Sequence, residues 1–146
     1  ARHGRDYRGS MKLTLTALVL CAAFLGGCGG TPAIVEGDKY PLDIKHGPTL
    51  DIQVIRHETE IQMTNTSGRS FGPCRMWLNG RFSHDLKGFG VGQSMTLPLG
   101  DFKDQYGEVF KAGGFFATER AEKLALAEIE IDGQMLGLIV VSVQEY

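Results

Sequence analysis

The chain has 146 residues, a formal charge of −2 and three cysteines. That length suits one compact domain. The mild negative charge, with bases and acids alternating along the chain, excludes the basic face that nonspecific nucleic-acid binding needs.

Residues 1–10 show no apolar periodicity and precede Met11, so they read as an over-extended or disordered leader. Leu13 to Leu25 is an apolar run of 13 residues without an acid, preceded by Lys12 and followed by Gly26-Gly27-Cys28. A spanning helix needs roughly 20 apolar residues, whereas the apolar region of a signal peptide has about 7 to 15. A basic start, an apolar stretch, two small residues and a cysteine together resemble a bacterial lipoprotein signal peptide over residues 11–27. The resemblance implies cleavage between Gly27 and Cys28 and a diacylglyceryl thioether on Cys28, usually with an acyl chain on its amino group. It also implies a cell-envelope location facing the periplasm or the outside. With Gly29 rather than Asp after the cysteine, the outer membrane is expected if the organism is Gram-negative. The membrane is then a partner through the lipid on Cys28, and no nucleic-acid partner is expected.

Removing residues 1–27 takes away four bases and one acid and leaves 119 residues with a charge of −5. Cys74 is then the only cysteine besides Cys28, so no intramolecular disulfide is expected in the domain. It reads as a small buried apolar residue, as half of an intermolecular disulfide or as a reactive thiol. Residues 28–33 read as a flexible tether and residues 34–146 as the folded domain.

From residue 34 onward short apolar runs alternate with Gly, Pro, Asn and Asp, which predicts an all-β sandwich or barrel. Period-two alternation puts Ile52 and Val54 on one face of a first strand and Ile61 and Met63 on one face of a second. Arg56-His57-Glu58 turns the chain between them, and Asn65 to Arg69 is a loop rich in side chains that bond the local backbone. Asn79-Gly80 between two alternating stretches is a strong hairpin signal, because a type I′ turn needs positive φ at both positions. Pro98 cannot donate to a ladder, so the strand from Ser94 to Leu99 is expected to lie at a sheet edge or to end there. Asp101 to Phe110 reads as a loop capping the core, with helical turns as the rival.

A second hairpin turns at Asp132-Gly133. The apolar parity of its first arm changes near Ala127, which predicts a bulge or a strand start there, with a short helix over 119–127 as the alternative. Gln134 to Val141 is apolar on both faces, as in a central strand.

Met63 to Arg69, Met76 to Phe82 and Val91 to Leu99, followed by Phe102, resemble small immunoglobulin-like envelope domains over about residues 50–105. This resemblance implies an immunoglobulin-like antiparallel β-sandwich, and it implies no site.

No constellation for chemistry emerges. His46, His57, His84, Cys74, Asp51 and Asp85 lack paired metal-ligand spacing, so no metal or other cofactor is expected. The serines carry no nucleophile elbow, and Gly88 to Gly92 reads as a turn. Trp77, Phe82, Phe89, Phe115 and Phe116 are either core residues or exposed rings for an envelope protein or glycan. Trp77, of opposite parity to Met76 and Leu78, is the first candidate contact. The expected function is that of a lipid-anchored binding or structural module, not an enzyme. A thiol-dependent or accessory enzyme subunit using Cys74 is the alternative.

Overall fold

A computed structural model describes residues 36–141. The chain divides into two units, Ala1–Ala33 and Ile34–Tyr146. The first lies outside the described residues, and with it the expected leader, the signal-peptide helix and the cleavage and lipidation site at Gly27 and Cys28. The expected tether, residues 28–33, also lies outside the described residues.

Nine strands occur among the described residues: β1 (Lys45–His46), β2 (Ile52–His57), β3 (Glu60–Asn65), β4 (Cys74–Leu78), β5 (Phe82–Leu86), β6 (Ser94–Pro98), β7 (Ala127–Ile131), β8 (Gln134–Gly137) and β9 (Ile139–Val141). A 3-10 turn, Leu99–Asp101, follows β6. The strands form a five-stranded sheet in the order β1-β8-β7-β4-β5 and a four-stranded sheet in the order β6-β3-β2-β9. Ile52, Val54, Ile61 and Met63 from the smaller sheet share one core with Met76, Leu78, Phe82, Ile129 and Leu136 from the larger. The arrangement is that of a β-sandwich.

Both sheets are mixed, not purely antiparallel as expected. β1 pairs with β8 in parallel, and β2 pairs with β9 in parallel. The reason lies in Gln134 to Val141, which is two strands and not one. Its first half belongs to the larger sheet, its second half to the smaller, and buried Leu138 stands at the crossing. The earlier segment from β1 to β2 makes the same crossing alongside it. Gly47 N–H donates to the Met135 carbonyl and Leu50 N–H to the Gly137 carbonyl, each at 2.8 Å. One parallel ribbon therefore bends from sheet to sheet and closes one side of the sandwich. A double-faced apolar run is what a strand that changes sheets requires.

The hairpins follow their turn chemistry. Asn79 and Gly80 have φ of 53° and 62°, and Asp132 and Gly133 have 50° and 71°. The β2–β3 turn falls on Glu58-Thr59, with His57 paired to Glu60. β6 is an edge strand that ends at Pro98, and β7 starts at Ala127, with no helix over 119–127. At the end of β3, buried Asn65 ties down the following loop. Its amide donates to the carbonyls of Arg69 and Gly90, both at 2.9 Å, and its Oδ1 accepts from Ser67. Phe102 and Phe110 are buried and cap the core, while Tyr106 between them is exposed.

Candidate functional site

Trp77 does point away from the core shared by the two sheets, as its parity requires, yet it is only 1% exposed. The expectation that it contacts a partner is corrected by the segment from Asp38 to His46, which lies across the outer face of the larger sheet. Tyr40 meets the indole edge-on, with centroids 5.2 Å apart and planes at 86°. The indole N–H donates to Glu130 Oε2 at 3.0 Å, and the Tyr40 hydroxyl donates to Glu128 Oε2 at 2.8 Å. Burial, the hydrogen bond to Glu128 and the charge of Glu128 push the Tyr40 hydroxyl up to about 12, so it stays a donor. Arg75 joins the cover through Asp38 at 2.8 Å, and His46 Nδ1 lies 3.6 Å from Glu128 Oε1. Tyr40, Trp77 and buried Met135 form a small second layer, and nothing in the local sequence of β4 announces the segment that covers it.

The other expected aromatics divide cleanly. Phe82 and Phe89 are buried, whereas Phe115 and Phe116 are 94% and 91% exposed. These two rings meet in a T-shaped pair with centroids 4.9 Å apart. They occupy the tip of the loop between Phe110 and β7.

The base of that loop is held by Arg56, at the end of β2. Its Nη2 donates to the Ala112 carbonyl at 2.6 Å, its Nη1 donates to the Glu122 carbonyl, and its Nε donates to the Glu58 carbonyl at 3.1 Å. One guanidinium thus joins both legs of the loop to the β2–β3 turn, while its Cζ lies 5.7 Å from the centre of the Phe110 ring. The sequence alone marks Arg56 only as a turn residue. Its five-donor fork is the chemistry that can bind three carbonyls at once. Asn79 holds the end of the loop next to β7: its amide donates to the Lys123 carbonyl at 2.7 Å, and its Oδ1 accepts from the N–H groups of Ala125 and Leu126. Gly114, with φ of 109°, passes so close to the turn that a Cβ there would lie 3.0 Å from Thr59 Cγ2. A Lys111–Glu119 ion pair at 2.6 Å crosses the exposed part of the loop, raising the lysine and lowering the carboxyl.

Beside this loop an open groove of about 1200 Å³ runs along the end of the smaller sheet. Its lining mixes Arg56, Glu58 and Glu60 with Leu124, Val140 and Phe115. Charges of both signs around an apolar floor suit contact with another molecule. Among the described residues no three His, Cys, Asp or Glu side chains come together as a metal site.

Cys74 is half-buried at the start of β4 and packs against the core. Burial first, and then the charge of Asp85, push its thiol up to about 11. That is the reverse of what an activated nucleophile needs. His84 lies against Phe102, with ring centroids 5.2 Å apart.

At the same end of the molecule as the loop, buried Asp104 organises the return of the chain. It accepts from Arg81 Nη2 at 2.7 Å and from the N–H groups of Tyr106 and Glu108 at 2.9 Å. Burial acts to raise its carboxyl, but Arg81 and the two backbone donors outweigh it and hold the group below its ordinary range.

Compared with protein-family models, with curated proteins and with solved structures, the chain matches none.

Proposed function

We propose that the protein is a cell-envelope lipoprotein, held to a membrane by lipid on Cys28, whose sandwich serves binding or structure and not catalysis. The observation that carries this reading is the sequence Leu25-Gly26-Gly27-Cys28 at the end of an apolar run too short to span a bilayer. A β-sandwich following closely on that cysteine suits a module displayed on a membrane. Among the described residues no helix is long and apolar enough to cross a membrane. The contact surface of the module is the end that carries the mixed groove and the exposed Phe115–Phe116 pair. The reading of the sandwich as immunoglobulin-like belongs to the same proposal, supported by two facing sheets around one core.

The alternative of a thiol-dependent protein has less support, because the Cys74 thiol is half-buried and raised. The anchor is tested by growing cells that express the protein with an alkyne-bearing fatty acid. The wild-type protein should take up the label and sediment with membranes. Cys28→Ser should lose both properties. Label retained by Cys28→Ser, or absent from the wild type, refutes the anchor.

A further inference from the structure

We infer that the Phe115–Phe116 tip is a second membrane contact, inserting into the acyl border of the bilayer to which the lipid on Cys28 holds the protein. The inference rests on the anchor proposed above and adds to it an orientation of the domain.

Two rings that are 94% and 91% exposed and packed on each other are out of place on a solvated surface. Single exposed apolar residues are common, but a paired aromatic tip is a contact element. The tip is carried by a braced loop, since Arg56 joins its legs and Asn79 fixes its end. Ordering on contact therefore costs little conformational entropy.

The position of the tip favours a bilayer over a protein as its occupant. The chain comes into the described domain at Gly37, whose N–H donates to the Asp104 carbonyl at 2.8 Å. Asp104 binds Arg81, Arg81 follows the Asn79-Gly80 turn, and Asn79 holds the base of the loop. The tip and the point where the tether joins the domain thus share one end of the sandwich. Nine peptide steps separate Cys28 from Gly37, a reach of about 32 Å at most. A domain on so short a tether keeps that end close to the membrane. Charge agrees: the mature chain is net −5, but the loop from Lys111 to Leu126 carries three bases and two acids. Its local charge is positive, and its long basic side chains can extend to the headgroups of an anionic leaflet.

The test places a fluorophore at the tip of the full-length mature protein. Phe115→Trp, and separately Phe116→Trp, are reconstituted in vesicles of phosphatidylethanolamine and phosphatidylglycerol, with and without bromine on the acyl chains. Val91→Trp, at the opposite end of the sandwich, is the control, and the wild type gives the background from buried Trp77. The state of Cys28 is read by mass spectrometry on the same samples. With Cys28 acylated, emission from positions 115 and 116 should be blue-shifted and quenched roughly twofold by bromolipid, with none at position 91. Water-like, unquenched emission at both tip positions in acylated, vesicle-bound protein overturns the inference and leaves the anchor standing. Equal quenching at 91 and 115 also overturns it, since the domain then has no orientation. An unmodified Cys28 overturns the anchor and this inference together, and the mass identifies that case.

Discussion

Leu50 N–H donates to the Gly137 carbonyl at 2.8 Å, joining two chain segments at the point where both pass from the larger sheet to the smaller. Leu138 follows immediately, buried in the shared core, with its N–H bonded to the Ala127 carbonyl at 2.8 Å. The crossing is therefore a packed corner and not a slack connection. Leu138→Ala should cost about 3 kcal/mol, the usual loss for a fully buried leucine. Urea denaturation followed by circular dichroism measures it. A loss under about 1 kcal/mol would mean that the corner repacks freely.

Trp77 is the only tryptophan in the chain, and it lies under the cover formed by Asp38 to His46. Its native emission should sit at short wavelength and move to the red on unfolding. Trp77→Ala should cost about 3 to 5 kcal/mol, because it opens a cavity and leaves Glu130 without its indole donor. A surface contact residue would cost well under about 1 kcal/mol. Chemical denaturation of the two proteins separates these outcomes.

Trp77 also shows where local sequence stops being informative. Alternation assigns a face correctly for Ile52, Val54, Ile61 and Met63, because period two is a property of the strand itself. The turns at Asn79-Gly80 and Asp132-Gly133 are equally local, since positive φ selects those residues. Which face of β4 is covered depends on a segment some 35 residues earlier, and no pattern near Trp77 encodes that. The same limit hides the parallel pairings of β1 with β8 and β2 with β9, which join opposite ends of the domain. At the candidate site, Phe115 and Phe116 stand out as aromatic residues, but their exposure follows from how Arg56 and Asn79 brace the loop. Arg56 itself carries no signal beyond lying next to a turn.

Cys74 should resist modification in the folded protein. With its thiol raised from 9.0 to about 11, the thiolate at neutral pH is scarcer than in a free cysteine by about a hundredfold. Native protein treated with a thiol-specific reagent should be labelled slowly at neutral pH, faster above pH 10, and at once in denaturant. Labelling of native protein at the rate of a free thiol would revive the thiol-dependent reading.

The carboxyl of Asp104 links stability to acid. An aspartate in an unfolded chain titrates at about 3.9, and Asp104 in the folded state lies below its ordinary value. Its contribution is therefore present above pH 4 or so and is lost as the pH falls through the folded value. Asp104→Asn should destabilise the domain by about 2 kcal/mol at neutral pH through the weakened bonds to Arg81 and the backbone. It should also flatten the acid limb of the stability curve. Thermal melts between roughly pH 3 and pH 7 give the comparison. An acid limb identical in the two proteins would remove Asp104 from it.

The central claim is that lipid on Cys28 holds this sandwich at a membrane. Intact mass spectrometry of the mature protein, purified from the membranes of a lipoprotein-processing bacterium, tests it most directly. The account predicts that residues 1–27 are absent and that the first residue is Cys28 carrying a diacylglyceryl group. An unmodified Cys28, or a mature chain beginning at any other residue, would contradict it.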